Sequence, residues 1–322
     1  MPTKVSAIII NYNGSDVLEP CIDSLLGQTV SFDEITVVDN ASTDDSCSFI
    51  PQKHPDIRLI QLGTNEGYAA AANLGIRNSD SELVAILNND LMLDPDWLEK
   101  MLKHATDPWS FWASKIVFSS RPDRVDSAGD GMAVIGSGFK IGHGEPENLH
   151  HENREVFGPC GAAGLYRKDM LEELGGFSEE FFLIYEDADL NFRARLRGHR
   201  CILVSAAKVR HRVNLNIGTF SPTYVFYGHR NSEIVFWQNM PLKLLILYLP
   251  ERLLFNLFSL FFFTYKGRGA SFVSAKLAFL KIFPQIARRR RQIQSERVIS
   301  TSELSRVLER NWLKYRIKKV PE

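Results

Sequence analysis

Residues 83–90, with the sequence Leu-Val-Ala-Ile-Leu-Asn-Asn-Asp, decide the fold class of this 322-residue chain. The apolar run at the start predicts a parallel strand that is buried on both faces. It ends abruptly in two amides and a carboxylate. Ligands of open α/β sheets bind beyond the carboxyl ends of the strands, and a carboxylate there can hold a divalent cation and a diphosphate. The alternative is a polar turn after a buried strand.

Three further apolar runs, residues 5–10, 35–38 and 57–62, predict neighbouring strands, and each ends in a polar loop. Amphipathic segments between the runs predict helices, among them an alanine-rich helix over residues 68–77. Strands that alternate with helices are typical of a parallel sheet with right-handed crossovers. The sequence therefore predicts an α/β fold with a doubly wound, mostly parallel sheet flanked by helices.

Two helix starts follow from capping preferences. Ser15 is a candidate N-cap for the first helix, whose apolar stripe would include Leu26. Beyond Asp90, Asp94 is a candidate N-cap with Pro95 at the first helical position. Both assignments place a helix soon after a polar strand end.

The polar loops after the strands are expected to meet at one edge of the sheet. They supply Asn11, Tyr12, Asp39, Asn65 and Asp90. An aspartate at a strand end can accept a hydrogen bond from a nucleobase N–H group, although a helix cap or a turn explains Asp39 equally well. The chain has no G-x-G-x-x-G after its first strand and no G-x-x-x-x-G-K-[ST] motif. The sequence therefore argues against a dinucleotide dehydrogenase and a P-loop enzyme.

Residues 119–156 are rich in glycine and polar side chains and show no regular periodicity. Long loops within a compact domain are usually functional or mobile. This segment is therefore predicted to be a lid over the substrate, and a disordered insertion is the alternative.

A second group of candidate residues lies between Gly161 and His211. The small residues around Gly161 allow a ligand or a neighbouring element to approach the backbone closely. Glu186, Asp187 and Asp189 open a helix, where the helix dipole alone favours acids. Transfer of a group to a hydroxyl, however, also requires a carboxylate base. His211, between two arginines, is either a packed or surface residue or one of a positive set around a diphosphate.

Composition limits the class of partner and the compartment. Lys plus Arg and Asp plus Glu are equal at 38 each, so the net charge points to no polyanionic partner. The charge is unevenly spread, because the chain beyond residue 266 is basic. The four cysteines form no C-x-x-C pair, and the N-terminus shows no cleavable signal pattern. Both observations indicate a reducing, cytosolic-side location without a disulfide framework or zinc knuckle.

Residues 242–265 are strongly apolar but are interrupted by Pro250, Glu251 and Arg252. Neither half is long enough for a comfortable membrane span, and the charged break is costly in hydrocarbon. An interfacial or re-entrant helical pair is favoured, with the four arginines of residues 288–291 facing anionic headgroups. The alternative is a pair of core helices packed on the rest of the chain or on another subunit. A basic run can also mark nucleic-acid binding, but no motif supports it.

The assembled motifs resemble family 2 of the inverting, nucleotide-sugar-dependent glycosyltransferases, which have the GT-A fold, and within it the rhamnosyltransferase-like branch. The resemblance covers residues 5–241. Its motifs are Ile9-Ile10-Asn11-Tyr12-Asn13-Gly14, Val37-Val38-Asp39-Asn40-Ala41-Ser42-Thr43-Asp44, Asn65-Glu66-Gly67-Tyr68, Asn88-Asn89-Asp90, Asp126-Ser127-Ala128-Gly129, Gly175-Gly176-Phe177, Tyr185-Glu186-Asp187-Ala188-Asp189-Leu190 and Arg230-Asn231.

The resemblance implies a nucleoside-diphosphate sugar as donor and assigns residues to its binding. In it, Asp39 would contact the uracil or thymine, and the ribose and phosphates would lie near Asn65 and Asn73. The residues implied for substrate binding are Asn11, Tyr12, Asp39, Asn65, Gly67, Asn73, Asn88, Asn89, Gly161 and Glu186.

The same resemblance implies the metal site and the catalytic base. Residues 88–90 stand where the family has its Asp-x-Asp motif, so Asp90 would bind Mg²⁺ or Mn²⁺, His211 would complete the metal site, and Asp187 would be the general base. Asn88 departs from the family pattern, because an amide replaces a carboxylate. This lowers the charge of the cation site and leaves the strength and choice of metal open. The implied mechanism is a single in-line displacement with inversion.

The chain is predicted to divide into a GT-A domain over residues 1–240, with a donor half of about 1–118 and an acceptor half of about 119–240, and a helical region over 241–322 that associates with membrane. Within the latter, residues 300–319 are expected to form an amphipathic helix. The implied function is transfer from a dTDP- or UDP-sugar, with dTDP-L-rhamnose as one candidate, to a glycan or lipid-linked acceptor. This would serve surface polysaccharide synthesis on the cytoplasmic face of the membrane. The alternatives are a sugar nucleotidyltransferase and a non-catalytic nucleotide-sugar-binding protein, and oligomerisation is left open.

Overall fold

A computed structural model describes residues 3–213 and 220–314 of the chain. The strands are β1 (Val5–Asn11), β2 (Glu34–Asp39), β3 (Arg58–Gln61), β4 (Leu83–Asn88), β5 (Leu91–Leu93), β6 (Phe111–Phe118), β7 (Arg121–Ala128), β8 (Asp130–Met132), β9 (Gly138–Lys140), β10 (Arg154–Val156), β11 (Ala163–Arg167) and β12 (Cys201–His211). The helices are α1 (Leu18–Leu26), α2 (Ile50–Lys53), α3 (Tyr68–Arg77), α4 (Trp97–Lys103), α5 (Lys168–Glu173), α6 (Glu186–Leu196), α7 (Pro222–Asn239), α8 (Leu242–Tyr265), α9 (Gly269–Ser295) and α10 (Thr301–Val307), with a 3₁₀ turn at Glu147–Leu149.

The central sheet has the strand order β10-β12-β6-β11-β4-β1-β2-β3, with β5 beside β12 and β7 beside β6. The pairs β1–β2, β1–β4, β2–β3 and β6–β12 are parallel, whereas β11 is antiparallel to both of its neighbours. The predicted α/β fold with a mostly parallel sheet is therefore confirmed. The four predicted parallel strands of the donor half and the helix α3 are all present.

The apolar runs form strands because their residues are buried on both faces of the sheet. Along β1, Ala7 and Ile9 belong to one hydrophobic cluster, and Ile8 and Ile10 belong to the cluster on the opposite face. Helices cover both faces, which is why the run does not alternate with polar residues. The sheet is therefore the wall between two cores.

The strand register brings the polar strand ends together. In β1, Asn11 is paired with Asp39 of β2, and Ile10 is paired with Asn88 of β4. Because all three strands are parallel, the loops that follow them leave from the same edge. The predicted gathering of strand-end residues is confirmed for these three strands.

Residues 119–156, predicted to be an irregular lid, contain four strands, β7 to β10, joined by turns. β7 joins the central sheet beside β6, and β8 and β9 form a separate two-stranded sheet. The side chains of Val125, Ala128 and Met132 in this segment are buried. The prediction failed because β7 is mostly polar and pairs irregularly with β6, because β8 and β9 have only three residues each, and because glycines with positive φ, such as Gly129 and Gly142, make the turns.

The two helix starts predicted from capping residues are also wrong. Ser15 does not cap α1, which begins at Leu18 without a side-chain cap, and Leu26 is exposed. Asp94 and Pro95 do not start a helix either, because residues 91–93 first form β5 against β12. The helix α4 begins only at Trp97.

The predicted break at Pro250 is wrong, because α8 runs unbroken from Leu242 to Tyr265 with Pro250 inside it. The part of the chain before α8, residues 3–213 and 220–241, is called the sheet domain below. Arg252 is buried against it and contacts the carbonyl of Ile135 (2.7 Å) and the carboxylate of Glu233 on α7 (2.9 Å). Within the described residues, α8 and α9 are each long and apolar enough to cross a membrane by length and composition alone.

Two of the four arginines at residues 288–291 do not point away from the protein as predicted. Arg289 forms an ion pair with Glu180 (3.1 Å), and Arg290 donates to the last carbonyls of α7. Arg288 and Arg291 remain exposed.

The amphipathic helix predicted over residues 300–319 is much shorter. α10 ends at Val307, and Leu308 has extended backbone angles. Residues 315–322 lie outside the part of the chain that is described.

Candidate active site

The carboxyl ends of β1 and β2 are joined by a network of polar side chains. Asp39 is 3% exposed and accepts hydrogen bonds at Oδ1 from Asn11 Nδ2 (3.0 Å) and from the hydroxyl of Ser42. Asn11 Oδ1 in turn accepts from Asn89 Nδ2 (2.7 Å). A Cβ at Gly14 would lie 2.3 Å from Asn89 Nδ2, so the loop requires glycine there. Three of the predicted substrate-binding residues are thus held in one rigid arrangement.

Tyr12, Asn65 and Gly67 were also predicted to bind the sugar donor. Tyr12 and Asn65 are exposed at the same edge, and Asn65 accepts from the N–H of Gly67 (3.0 Å). Gly67 has φ +84°, and a Cβ there would meet the carbonyl of Phe182, so only glycine fits.

Asn73 is not brought into this group. Its amide bonds the backbone N–H and C=O of Phe177, both at 2.8 Å, and its side chain is buried. These contacts hold the turn at Gly176–Phe177, where a Cβ on Gly176 would meet Asn73 Oδ1. In this structure Asn73 therefore stabilises the loop before α6.

Asp90 and His211, predicted to share a metal site, are brought together although they lie far apart in sequence. Antiparallel pairing of β5 with β12 sets His211 opposite Leu91, and the N–H of Arg212 donates to the carbonyl of Asp90 (2.9 Å). As a result His211 Nε2 lies 3.2 Å from Asp90 Oδ1. Asn88, two residues before Asp90 at the end of β4, is only half-buried.

The second ring nitrogen of His211 is held by an acid that the sequence analysis did not assign. His211 Nδ1 lies 2.8 Å from Asp126 Oδ2, and Asp126 also accepts from Lys140 Nζ (2.7 Å). Burial would lower the pKa of His211, but Asp126 and Asp90 outweigh it and raise the pKa to about 9. Burial alone would raise the pKa of Asp126, but Lys140, His143 and His211 hold this pKa well below its usual range.

The donor atoms at Asp90 and His211 suit a divalent cation. A carboxylate oxygen and an imidazole nitrogen converge, both side chains are largely buried, and the other ring nitrogen is fixed by a carboxylate. Two protein ligands leave most of the coordination sphere for water and phosphate oxygens, as is usual for Mg²⁺ at diphosphate sites. Because the imidazole is protonated near neutral pH here, a cation would have to displace that proton.

Asp187 lies in the first turn of α6 and is half-buried. Its Oδ2 accepts from the N–H of Gly161 (2.8 Å) and its Oδ1 from the N–H of Ala188 (2.7 Å). A Cβ at Gly161 would lie 3.0 Å from that Oδ2, which explains the small residue. Burial raises the pKa of Asp187, and the two N–H groups only partly oppose it.

The backbone just before α6 is held in an unusual conformation. Ile184 and Tyr185 both have positive φ, +66° and +77°, which is uncommon for side chains of this size. Such strain is often found at functional sites. Glu186, the next residue, is buried, and burial with the nearby Asp187 raises its pKa to about 8.

Two further groups near Asp187 were missed by the sequence analysis. Ligand atoms of Asp130, Cys160 and Asp187 all lie within 4.8 Å of one another. Burial and the neighbouring Asp187 raise the pKa of Asp130 well above its usual range, while Lys140 opposes this. No motif in the sequence marks Asp130, because this residue lies at the start of β8, in the segment predicted to be a loop. The sequence motif ending at Gly129 was the only local signal.

Comparison with known proteins shows which family the chain resembles. The model of the family "Glycosyl transferase family 2" matches residues 6–175. The N-acetylglucosaminyl-diphospho-decaprenol L-rhamnosyltransferase of Mycobacterium tuberculosis is 25% identical over 277 residues, which cover 76% of this chain and 89% of that protein. The O-antigen biosynthesis protein RfbC of Myxococcus xanthus is 28% identical over 223 residues, covering 65% of this chain but only 17% of that protein.

The fold is also found among solved structures. The crystal structure of GalNAc-T7 with UDP, GalNAc and Mn²⁺ superposes with a TM-score of 0.59 at 14% identity, covering 72% of this chain and 48% of that one. This superposition shows that the two chains share a fold. The family model matches more than half of the sequence. The chain therefore belongs to glycosyl transferase family 2.

Proposed function

We propose that this glycosyltransferase moves a sugar from a uridine or thymidine diphosphate donor to a hydroxyl of a glycan or lipid-linked acceptor, with inversion at the anomeric carbon. The observation that carries the proposal is the convergence of Asp90 Oδ1 and His211 Nε2 at 3.2 Å beyond the end of β4. In an open α/β sheet this is the place where a nucleotide and its cation bind. The further assignments below follow from the side chains around it.

The base of the donor is assigned to the network at Asp39. The hydrogen bonds from Asn11 and Ser42 both end on Asp39 Oδ1. We assign the Asp39 carboxylate as the acceptor for the N3–H group of uracil or thymine. A carboxylate acceptor suits these bases because each has a ring N–H, and it disfavours an unprotonated ring nitrogen. Tyr12 is exposed beside Asn11, and we assign it to a contact with the base or ribose.

The diphosphate is assigned to the cation held by Asp90 and His211. A bound Mg²⁺ or Mn²⁺ would neutralise the charge that develops on the departing nucleoside diphosphate. Asn88 contributes an amide where the family has a carboxylate, so we expect weaker cation binding than a two-carboxylate site gives. The presence of UDP and Mn²⁺ in the GalNAc-T7 structure supports this assignment.

The general base is assigned to Asp187. Burial raises the pKa of Asp187, which makes its carboxylate a stronger base than that of an exposed aspartate. Its position between the N–H groups of Gly161 and Ala188 fixes the carboxylate, so the acceptor hydroxyl can meet a defined proton acceptor. Glu186, with a pKa of about 8, is protonated near neutral pH and can donate a hydrogen bond to the substrate.

A lipid-linked acceptor at a membrane surface is supported by the outer faces of α8 and α9. These faces are apolar and solvent-exposed, which a bilayer surface would cover. The exposed side chains are Leu242, Ile246, Leu247, Leu253, Leu254, Leu257, Phe258, Phe261, Phe262, Tyr265, Val273, Leu277, Leu280 and Phe283. The name of the mycobacterial relative, which contains a diphospho-decaprenol, agrees with such an acceptor and with L-rhamnose as one candidate sugar.

The proposal is tested with the substitution Asp187→Asn. We expect it to abolish sugar transfer while leaving the affinity for UDP or dTDP nearly unchanged, since the base acts only in the transition state. Asp169→Asn is a matched control, because Asp169 is also in a first helical turn and also accepts from the next N–H at 2.7 Å. Turnover that survives Asp187→Asn, measured by release of nucleoside diphosphate with and without acceptor, would remove Asp187 from this role.

A further inference from the structure

Asp126 is a buried acid whose carboxylate joins two basic side chains. It lies on β7 and is 1% exposed. Oδ2 accepts from His211 Nδ1 (2.8 Å), and the two oxygens lie 2.7 and 2.9 Å from Lys140 Nζ. His143 adds a contact to the backbone carbonyl of Asp126 (2.8 Å).

The bond from His211 to Asp126 determines which ring nitrogen is free to act as a ligand. A neutral imidazole carries its hydrogen on one nitrogen and a lone pair on the other. With Nδ1–H donated to Asp126, the lone pair is on Nε2, which is the atom 3.2 Å from Asp90 Oδ1. The ring is also fixed in orientation, because one nitrogen contacts the carboxylate of Asp126 on β7 and the other contacts that of Asp90 in the turn between β4 and β5.

Lys140 explains why this position carries a full carboxylate rather than an amide. An ammonium 2.7–2.9 Å from both oxygens stabilises the buried charge of Asp126. An asparagine would have one oxygen, which would turn towards the ammonium, and its NH₂ group would then face His211 Nδ1. That nitrogen would have to accept, so the ring hydrogen would move to Nε2 and face Asp90.

We propose that Asp126 is a positioning residue that orients His211 and fixes its tautomer so that Nε2 can bind the divalent cation. The inference rests on the proposed function, because it assumes the cation site at Asp90 and His211. Metal-binding histidines commonly donate their second N–H to a carboxylate in this way, and loss of that partner weakens metal binding by about 10- to 100-fold.

The test is a titration of the full chain with Mn²⁺ alone, followed by electron paramagnetic resonance of free Mn²⁺. We expect Asp126→Asn to weaken Mn²⁺ binding by about 10- to 100-fold, and Asp90→Ala to weaken it at least as much. Asp123→Asn is the matched control, because Asp123 lies on the same strand with its side chain 74% exposed, and it should leave the affinity unchanged.

The outcomes separate the inference from the proposed function. Equal Mn²⁺ affinity in the wild type and Asp90→Ala would overturn the cation site and the inference with it. Weakening in Asp90→Ala but not in Asp126→Asn would overturn the role of Asp126 alone. If Asp126→Asn does not fold, ¹⁵N NMR of the histidines in the wild type with Mg²⁺ decides, with His211 assigned by its loss in His211→Gln. With Mg²⁺ bound and the ring of His211 neutral, a hydrogen on Nδ1 supports the inference, and a hydrogen on Nε2 contradicts it.

Discussion

The sheet domain and the helices α8 and α9 arrange their polar and apolar residues in opposite ways. In the sheet domain, apolar strands such as β1 are buried on both faces and the polar side chains gather at one edge. In α8, the buried stripe includes the charged Arg252, whereas Phe258 and Phe261 are 61% and 64% exposed. A helix that turns charge inward and phenylalanine outward is suited to a medium other than water.

The inward side of this arrangement is a buried ionic cluster. Glu233 on α7 bonds Arg252 of α8 (2.9 Å) and also contacts Lys276 of α9. Burial would raise the pKa of Glu233, but Arg252 and Lys276 lower it to about 2. The cluster thus ties three helices together and gives α8 a fixed rotation, with one face towards the sheet domain and the other outward.

Substitution of Arg252 should have the largest effect on stability. Arg252→Ala leaves Glu233 buried with fewer partners, and breaking a buried ion pair in this way costs about 3–5 kcal/mol. We expect the free energy of unfolding in urea to fall by about that amount. Arg288→Ala is the control, because Arg288 is exposed on α9. Equal stability of the two variants would contradict the inward anchoring of α8.

Substitutions on the outward face should act on membrane binding instead. Phe258→Ser and Phe261→Ser are each expected to lower binding to vesicles of phosphatidylcholine and phosphatidylglycerol by about tenfold, since burying a phenylalanine is worth roughly 1.5–3 kcal/mol. The free energy of unfolding should hardly change, because both rings are exposed.

The matched control for these variants is Leu149→Ser in the sheet domain, where an apolar side chain is exposed to a similar degree, 61%. Vesicle sedimentation measures all three variants. If the wild type does not bind vesicles, or if Leu149→Ser weakens binding as much as Phe258→Ser, the outward face of α8 is not a membrane surface. A protein partner or a second subunit would then cover it.

The strands and helices of residues 5–90 could be predicted from the sequence because their signals are local. An unbroken apolar run of five residues such as 83–87, followed at once by polar residues, predicts a buried strand whose polar end lies at the sheet edge. The helix α3 was predicted over the residues at which it is found, Tyr68–Arg77. The pairing of Asp90 with His211 came from the family resemblance, and its physical cause is the antiparallel contact of β5 with β12. A contact between such distant residues leaves no periodicity in the sequence.

The rest of the cleft could not be predicted for the same reason. Asp126 lies on β7, whose sequence is mostly polar, whereas Asp130 and Lys140 lie on strands of three residues each. Neither kind of strand shows an alternating apolar pattern in the sequence. The continuous α8 was missed because Pro250 normally breaks a helix. Packing of the helix on α7 and α9, through Arg252 among others, outweighs that cost in this chain.

The central claim, that the sheet edge binds a nucleotide through a cation at Asp90, is tested most directly by calorimetric titration. UDP and dTDP are each titrated into the wild type and into Asp90→Ala, with and without Mn²⁺ or Mg²⁺. We predict binding of at least one nucleotide that depends on the metal and is lost in Asp90→Ala. Binding that is unaffected by the metal and by Asp90→Ala, or no binding of either nucleotide, would contradict the claim.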